Sequence, residues 1–117
     1  MSIKISPLHA NDREAWETLA RAYKAFYQTE TAHAEYDQAW QRLLAHEGVF
    51  GLAARLDDKI VGISHHLFHA SAWANTVCYL QDMYTAPEVR GRGVGRALIS
   101  AVADHARKFG AVRYYWH

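Results

Sequence analysis

The chain has 117 residues, of which 50% are hydrophobic and 21% are charged, and its formal net charge is +1. This composition is typical of one globular domain over residues 1–117 and excludes a disordered chain, while the near-neutral charge argues against nucleic acid or an anionic membrane as partner. The single cysteine, Cys78, excludes an internal disulfide, and no apolar run resembles a membrane span or a signal peptide, so the sequence predicts a cytoplasmic protein.

The spacing of apolar residues predicts an α/β protein with elements in the order β-α-α-β-β-β-α-β. The two N-terminal helices are amphipathic and are separated by a polar break, and two apolar runs joined by Asp57-Asp58-Lys59 indicate a β-hairpin. The next strand is apolar on both faces, as a central strand should be, and Gly110 ends the last helix. The predicted strands cover residues 2–6, 49–56, 60–68, 76–85 and 111–116.

The segment between the longest strand and the last helix reads Arg90-Gly91-Arg92-Gly93-Val94-Gly95-Arg96. Glycines let the backbone approach a ligand closely, and the first N–H groups of a helix have no partner inside it. Together with the helix dipole, these groups form an anion site, to which the three arginines add positive charge. The segment therefore predicts a loop that binds pyrophosphate.

Three kinds of loop could do this. A P-loop requires Lys and then Ser or Thr after its last glycine, but Arg96 follows Gly95. A dinucleotide loop requires glycine at position 96 and an acidic residue about 20 positions further on, and both are missing. The pattern Arg/Gln-x-x-Gly-x-Gly/Ala fits every position from Arg90 to Gly95, and the chain thereby resembles the GNAT N-acetyltransferase superfamily. The wider stretch from Tyr79 to Ile99 is similar to the family's central strand, acetyl-CoA loop and helix.

The resemblance implies the acyl-CoA N-acyltransferase fold with a mixed central sheet, and acetyl-CoA as co-substrate without a metal. Family members continue with another helix and two more strands, so the resemblance implies that residues 1–117 form an incomplete domain. A last strand ending in Tyr114, Tyr115 and Trp116 would then offer apolar surface and unpaired backbone groups. We therefore expect a homodimer through this C-terminal strand.

The resemblance also locates the chemistry at the end of the central strand. It implies that backbone groups of Met83, Tyr84 and Thr85 bind the pantetheine arm and that an N–H group there polarises the thioester carbonyl. Several relatives have Glu in place of Gln81, and Gln cannot accept a proton. Asp82 is expected on the opposite face of the strand, where it binds a cationic substrate or pairs with an arginine. The implied cofactor-binding residues are Met83, Tyr84, Thr85, Arg90, Gly91, Arg92, Gly93, Val94, Gly95 and Arg96.

The general acid is not assigned, because the family's usual tyrosine lies on a helix after the last strand of this chain. Tyr84 is either a substitute acid or a packed strand residue. Cys78 alternates with Leu80 and Asp82, which is more typical of a buried thiol than of a covalent acetyl-cysteine route.

The remaining candidates concern metal and acceptor binding. His65 and His66 are adjacent strand residues that point to opposite faces, so they cannot bind one metal ion together. The resemblance places His69 in a segment that borders the substrate groove, and Tyr27 in one that lines the acceptor site.

We therefore predict an acetyl-CoA-dependent N-acetyltransferase that acts on a primary amine, which is a small amine, a polyamine or an amino-acid-like acceptor. The branch with polyamine, small-amine and yeast histone-type enzymes is the most similar. The alternatives are a protein or peptide N-acetyltransferase, a non-catalytic CoA-binding module, and a basic nucleic-acid binder, which the near-neutral charge opposes. The last would use Arg90, Arg92, Arg96, Arg107, Lys108 and Arg113.

Overall fold

Residues 2–116 are described by a computed structural model. They form one five-stranded sheet with helices on both faces, and the strands lie side by side in chain order. The first four strands are antiparallel and the fifth is parallel to the fourth, so the sheet is mixed and the predicted element order is confirmed. The elements are β1 (Ile3–Pro7), α1 (Arg13–Phe26), α2 (His33–Ala45), β2 (Phe50–Leu56), β3 (Lys59–His69), β4 (Val77–Thr85), α3 (Val94–Phe109) and β5 (Arg113–Tyr115), with short 3-10 helices at Ala10–Asp12 and Pro87–Val89.

The predicted hairpin is β2 and β3, which are joined by a two-residue turn. Asp57 and Asp58 both have positive φ, 52° and 67°. Aspartate tolerates this left-handed conformation, and two such residues form the turn whose twist matches that of paired strands. The turn fixes the first two pairs, and a register shift between Arg55 and Ala54 then sets the pairing of the rest of β3, including His65 and His66.

Two neighbouring histidines identify the two faces of the sheet. The side chain of His65 contacts Trp16 of α1, and that of His66 contacts His105 of α3. Helices α1 and α2 therefore cover one face and α3 covers the other, which confirms that the two histidines point in opposite directions.

Glycine allows α3 to pack unusually close to the sheet. A Cβ atom at Gly62 of β3 would lie 2.9 Å from Val94 Cγ1 and 3.2 Å from Leu98 Cδ1. Both side chains are buried, at 2% and 0% exposed, and neither can move away easily. The absent side chain at Gly62 therefore allows the first turn of α3 to lie close to β3.

Strand β4 contains a bulge that the sequence did not predict. His65 pairs with Asp82 and His66 pairs with Leu80, so Gln81 is an extra residue without a partner in β3. Cys78 and Leu80 face α3, whereas Asp82 faces α1. The expectation that Cys78, Leu80 and Asp82 share one face is therefore wrong, because regular alternation stops at the bulge.

The parallel pair of β4 and β5 is short. Only 77–79 of β4 pair with 113–115, and within residues 2–116 no β5 residue pairs with positions 80–85. The last strand is thus three residues long rather than the six predicted. The sheet separates at this point and leaves one edge of the end of β4 open.

Two of the three aromatic residues predicted for the last strand are less exposed than the sequence suggested. The Tyr114 hydroxyl donates to the Ile99 carbonyl of α3 at 3.1 Å, and the Tyr115 ring stacks on Tyr79 with centroids 4.8 Å apart. Only Trp116, at 52% exposed, presents a large open surface among the three. The homodimer through this strand stays a prediction.

Candidate active site

The predicted pyrophosphate loop lines a cleft of about 440 Å³ at the start of α3. Gly91 and Gly93 both have φ of +85°, and a Cβ atom at either position would meet no protein atom within 4 Å. Positive φ is costly for other residues, so glycine is needed for the path of the chain. The loop therefore leaves open space over its own backbone. The residues that line the cleft are Thr85, Val89, Arg90, Gly91, Gly93, Val94, Gly95 and Arg96.

The backbone amides at the start of α3 are available to an anion. Ala97 is the first residue whose amide donates within the helix, to the Gly93 carbonyl at 3.0 Å. The amides of residues 94–96 have no carbonyl one turn earlier, and they lie at the positive end of the helix dipole. The amide of Arg92 differs, because it donates to the Val89 carbonyl at 3.2 Å.

Two of the three predicted arginines accompany these amides. Arg90 and Arg96 line the cleft, whereas Arg92 does not. The Arg90 guanidinium carbon lies 5.1 Å from the centroid of the Tyr84 ring, a cation–π contact that orients the side chain. The cleft therefore combines fixed backbone dipoles with two positive charges, and its shape and charge fit a pyrophosphate.

A second cavity, of about 420 Å³, lies on the other face of the sheet between α1, α2 and β4. We call it the acceptor cavity. Of the predicted site residues, Gln81, Asp82, Met83 and Tyr84 line it. Thr85, the next residue of β4, lines the cleft instead. The end of β4 therefore lies between the two spaces, which is the arrangement that transfer of a group from one ligand to another requires.

Asp82 is the central carboxylate of the acceptor cavity. Its side chain is 28% exposed, and Oδ2 lies 2.9 Å from His65 Nδ1. Burial opposes ionisation of the carboxyl group, but the His65 hydrogen bond and the nearby Tyr23 and Lys24 outweigh it and hold the pKa of Asp82 below its usual range. Asp82 is therefore a negative charge at the cavity wall.

Other charged groups surround this carboxylate. Glu35 and Glu47 add negative charge at the exposed side of the cavity, and Lys24 and Arg42 add positive charge. Tyr23 lies beside Asp82, and burial followed by the hydrogen bond to Asp82 raises its pKa well above the usual range. Its hydroxyl therefore stays protonated at neutral pH. The cavity can hold a ligand that carries an ammonium group and a carboxylate.

Three candidates from the sequence lie outside both spaces. Tyr27 is 62% exposed and packs on Tyr23, with ring centroids 4.9 Å apart. His69 Nε2 lies 2.7 Å from the Tyr115 hydroxyl, at the opposite end of β4. Substrate roles for Tyr27 and His69 stay predictions. Cys78 is fully buried against α3, and burial raises the pKa of its thiol to about 11, which confirms a packed thiol.

The sequence did not identify Trp16 or His65 as parts of the acceptor cavity. The apolar pattern of α1 marked Trp16 as a buried residue, and it is 1% exposed. Nothing local shows that a strand residue 49 positions later meets its indole N–H. The contact arises from the packing of α1 on β3, which single-sequence patterns do not specify.

No helix within residues 2–116 is both long enough and apolar enough to cross a bilayer. Among the same residues, no group of three or more His, Cys, Asp or Glu side chains is arranged to hold a metal ion.

Comparison with known proteins supports the family and the fold. Residues 13–117 match the acetyltransferase (GNAT) family. The structure superposes on AAC(6')-Iy bound to a bisubstrate analogue with a TM-score of 0.89 and 16% identity, covering 100% of this chain and 80% of that one. It superposes on the ribosomal-protein-alanine N-acetyltransferase of Brucella melitensis biovar Abortus 2308 with a TM-score of 0.84 and 21% identity. This superposition covers 100% of this chain and 80% of that one. These likenesses show the fold.

Curated relatives are similar in sequence as well. The D-amino-acid N-acetyltransferase HPA3 of Saccharomyces cerevisiae is 29% identical over 119 residues, which cover 97% of this chain and 73% of the relative. The thialysine N-epsilon-acetyltransferase of Bos taurus is 40% identical over 47 residues, which cover 40% of this chain and 28% of the relative. The fold and the family match define the class of protein as an N-acetyltransferase. The chain belongs to the GNAT acetyltransferase family.

Proposed function

We propose that the protein transfers the acetyl group of acetyl-CoA to a primary amine while both ligands are bound. One observation carries this proposal: consecutive residues of β4 line two different spaces, Met83 and Tyr84 the acceptor cavity and Thr85 the cleft. A donor held at the cleft and an amine held in the cavity would therefore meet at the end of β4. Holding both reactants together supplies a large part of the rate enhancement.

Acetyl-CoA is the co-substrate that the cleft fits. Its pyrophosphate would accept hydrogen bonds from the amides of residues 94–96, and Arg90 and Arg96, which also line the cleft, would supply positive charge. Bound there, acetyl-CoA supplies a thioester as the source of the acetyl group. The edge of β4 that β5 leaves open offers N–H groups near Met83 and Thr85, and such a group would stabilise the developing oxyanion.

The acceptor is a small molecule with at least one ammonium group. Asp82 binds this ammonium, and Glu35 and Glu47 make the entrance favourable for cations. Lys24 and Arg42 match a carboxylate on the same molecule, so amino-acid-like acceptors are favoured over simple polyamines. The similarity to the yeast and bovine enzymes, which are named for D-amino acids and thialysine, supports this choice. Overall, an ammonium and the thioester give an amide, a thiol and one released proton.

An acceptor screen tests the proposal. CoA affinity is measured by calorimetry, and thiol release from acetyl-CoA is followed with polyamines, lysine analogues, and D- and L-amino acids, with N-acetylated versions of each as controls. We expect thiol release only with free amines, and fastest with those that also carry a carboxylate. CoA binding without turnover on any amine would instead indicate the non-catalytic module, and absence of CoA binding would refute the assignment of the cleft. The cytoplasmic location and the homodimer through β5 stay predictions.

A further inference from the structure

Three residues from different elements form a hydrogen-bonded chain that ends in the acceptor cavity. Trp16 Nε1 of α1 lies 2.9 Å from His65 Nε2 of β3, and His65 Nδ1 lies 2.9 Å from Asp82 Oδ2 of β4. The tryptophan end of this hydrogen-bonded chain is held rigidly, because Trp16 is 1% exposed and packs against Trp40 and Tyr36. The hydrogen-bonded chain therefore connects the core under α1 to the Asp82 carboxylate at the cavity wall.

The positions of the protons in this chain follow from its donors. An indole N–H can only donate, so His65 Nε2 must accept and carries no proton. The remaining nitrogen, Nδ1, then carries the proton and donates it to Asp82. His65 is therefore a neutral imidazole whose tautomer is fixed by its two neighbours. A second proton on Nε2 would face the indole N–H and break the first hydrogen bond.

This arrangement leaves His65 no free nitrogen with which to accept a proton from a substrate. It does fix one oxygen of Asp82 and the plane of its carboxylate. A carboxylate has about four acceptor positions, so further positions remain for the Tyr23 hydroxyl and a ligand. Without His65, the Asp82 side chain could rotate toward Lys24, a cation that also lines the cavity and favours the ionised carboxylate.

We infer that Trp16 and His65 are positioning residues that act through Asp82, holding its carboxylate where it receives the ammonium group of the acceptor. The inference rests on the proposed function, because it takes the acceptor cavity as the amine site. It adds two residues at the inner wall of the acceptor cavity that determine selectivity for cationic amines through the orientation of Asp82. Charge-assisted hydrogen bonds depend strongly on direction, so orientation of the carboxylate affects affinity as well as its charge does.

Substitutions at position 65 separate orientation from packing. His65→Gln retains an oxygen that accepts from Trp16 and an NH2 group that donates to Asp82, whereas His65→Leu removes both. We expect His65→Leu to raise KM for a cationic amine about tenfold or more, equivalent to about 1.4 kcal/mol, and to leave KM for acetyl-CoA unchanged. The KM of His65→Gln for the same amine should stay within about threefold of the wild-type value, and the KM of Trp16→Phe should lie between those of His65→Gln and His65→Leu.

Two controls make the result specific. His66→Gln changes the adjacent histidine on the other face and should leave both KM values unchanged. For an aniline acceptor, which is uncharged at neutral pH, His65→Leu should raise KM much less than it does for a cationic amine. Equal KM changes in His65→Gln and His65→Leu, or equal losses with aniline and with the cationic amine, would show that position 65 only supports the fold and would overturn the inference.

Nuclear magnetic resonance tests the chain without any turnover. The nitrogen shifts of His65 should be those of a neutral ring protonated at Nδ1, and the Trp16 indole N–H signal should move in His65→Leu more than in His65→Gln. A ring protonated at Nε2 would refute the chain itself. If the tautomer is as expected but the wild type acetylates no amine, the proposed function fails while the hydrogen-bonded chain stands.

Discussion

The two faces of the sheet carry two sites that are built from different parts of the chain. The cleft on the α3 side is made largely of backbone, with amides of residues 94–96 and glycines that leave space for a ligand. The acceptor cavity on the α1 and α2 side is made of side chains such as His65 and Asp82. Glycine geometry and helix placement should therefore control ligand binding at the cleft, and hydrogen-bonding side chains should control it in the acceptor cavity.

The greatest change in stability is expected at His66, which lies on the α3 side and is fully buried. Burial, followed by the electrostatic effect of His105, lowers its pKa from 6.5 to about 4. Above pH 6.5 the His66 imidazole is neutral in both the folded and the unfolded state and does not alter the free energy of unfolding. As pH falls from 6.5 to 4 the unfolded chain binds the proton and the folded chain does not, so the free energy of unfolding should fall by about 3 kcal/mol.

Urea unfolding between pH 4 and 7 measures this loss. His66→Leu should flatten the dependence over that range, although His105, whose pKa is also lowered, will keep part of it. His33→Gln is the matched control, because the His33 side chain is 72% exposed. An unchanged pH dependence in His66→Leu would contradict the assignment.

The next effect tests the acceptor cavity. Asp82→Asn keeps the shape of the side chain and removes its charge, so kcat/KM for a cationic amine should fall about 100-fold, or about 2.7 kcal/mol, while CoA affinity stays the same. Asp104→Asn is the control, because that carboxylate pairs with Arg107 on the outer side of α3. Loss of CoA affinity in Asp82→Asn would show that the two sites are not separate.

Helix placement is tested at Gly62. In Gly62→Ala the new methyl group would lie 2.9 Å from Val94 Cγ1, so we expect the protein to lose about 2 kcal/mol of unfolding free energy. Because the clash is at the first turn of α3, CoA affinity should fall as well. Adding Val94→Ala should recover part of both losses, since it removes the clashing atom. Simple addition of the two single effects would argue against direct contact.

A comparison of two glycines distinguishes the space that a ligand needs from backbone strain, and its expected effects are the smallest. Gly93→Ala and Gly110→Ala both place alanine at positive φ, +85° and +93°, and neither new Cβ meets a protein atom within 4 Å. Both variants should therefore lose similar stability. Only Gly93→Ala should weaken CoA binding, by about tenfold or 1.4 kcal/mol, because only Gly93 lines the cleft. Calorimetry with equal CoA affinity in both variants would refute the loop as the pyrophosphate site.

The same contrast explains what the sequence could predict. The loop from Arg90 to Arg96 is contiguous, and its glycines, arginines and position before a helix are local signals, so the cleft was found without a structure. The acceptor cavity joins Trp16, His65 and Asp82 across three elements, and only tertiary packing brings them together. The role of Gly62 was missed for the same reason, because its neighbour Val94 lies on another element.

The bulge in β4 marks the one position of that strand where a shorter chain would keep the pairing with β3. His65 and His66 are consecutive, and their partners Asp82 and Leu80 are separated only by Gln81. A chain one residue shorter at position 81 would therefore keep all the other pairs between β3 and β4, whereas a deletion elsewhere in β4 would shift the register of the remainder. The shorter strand would also lose the extra local twist of a bulge, and with it part of the tendency of β4 to diverge from β5 after Tyr79. An alignment gap opposite Gln81 would thus leave the fold intact and narrow the opening beside the end of β4.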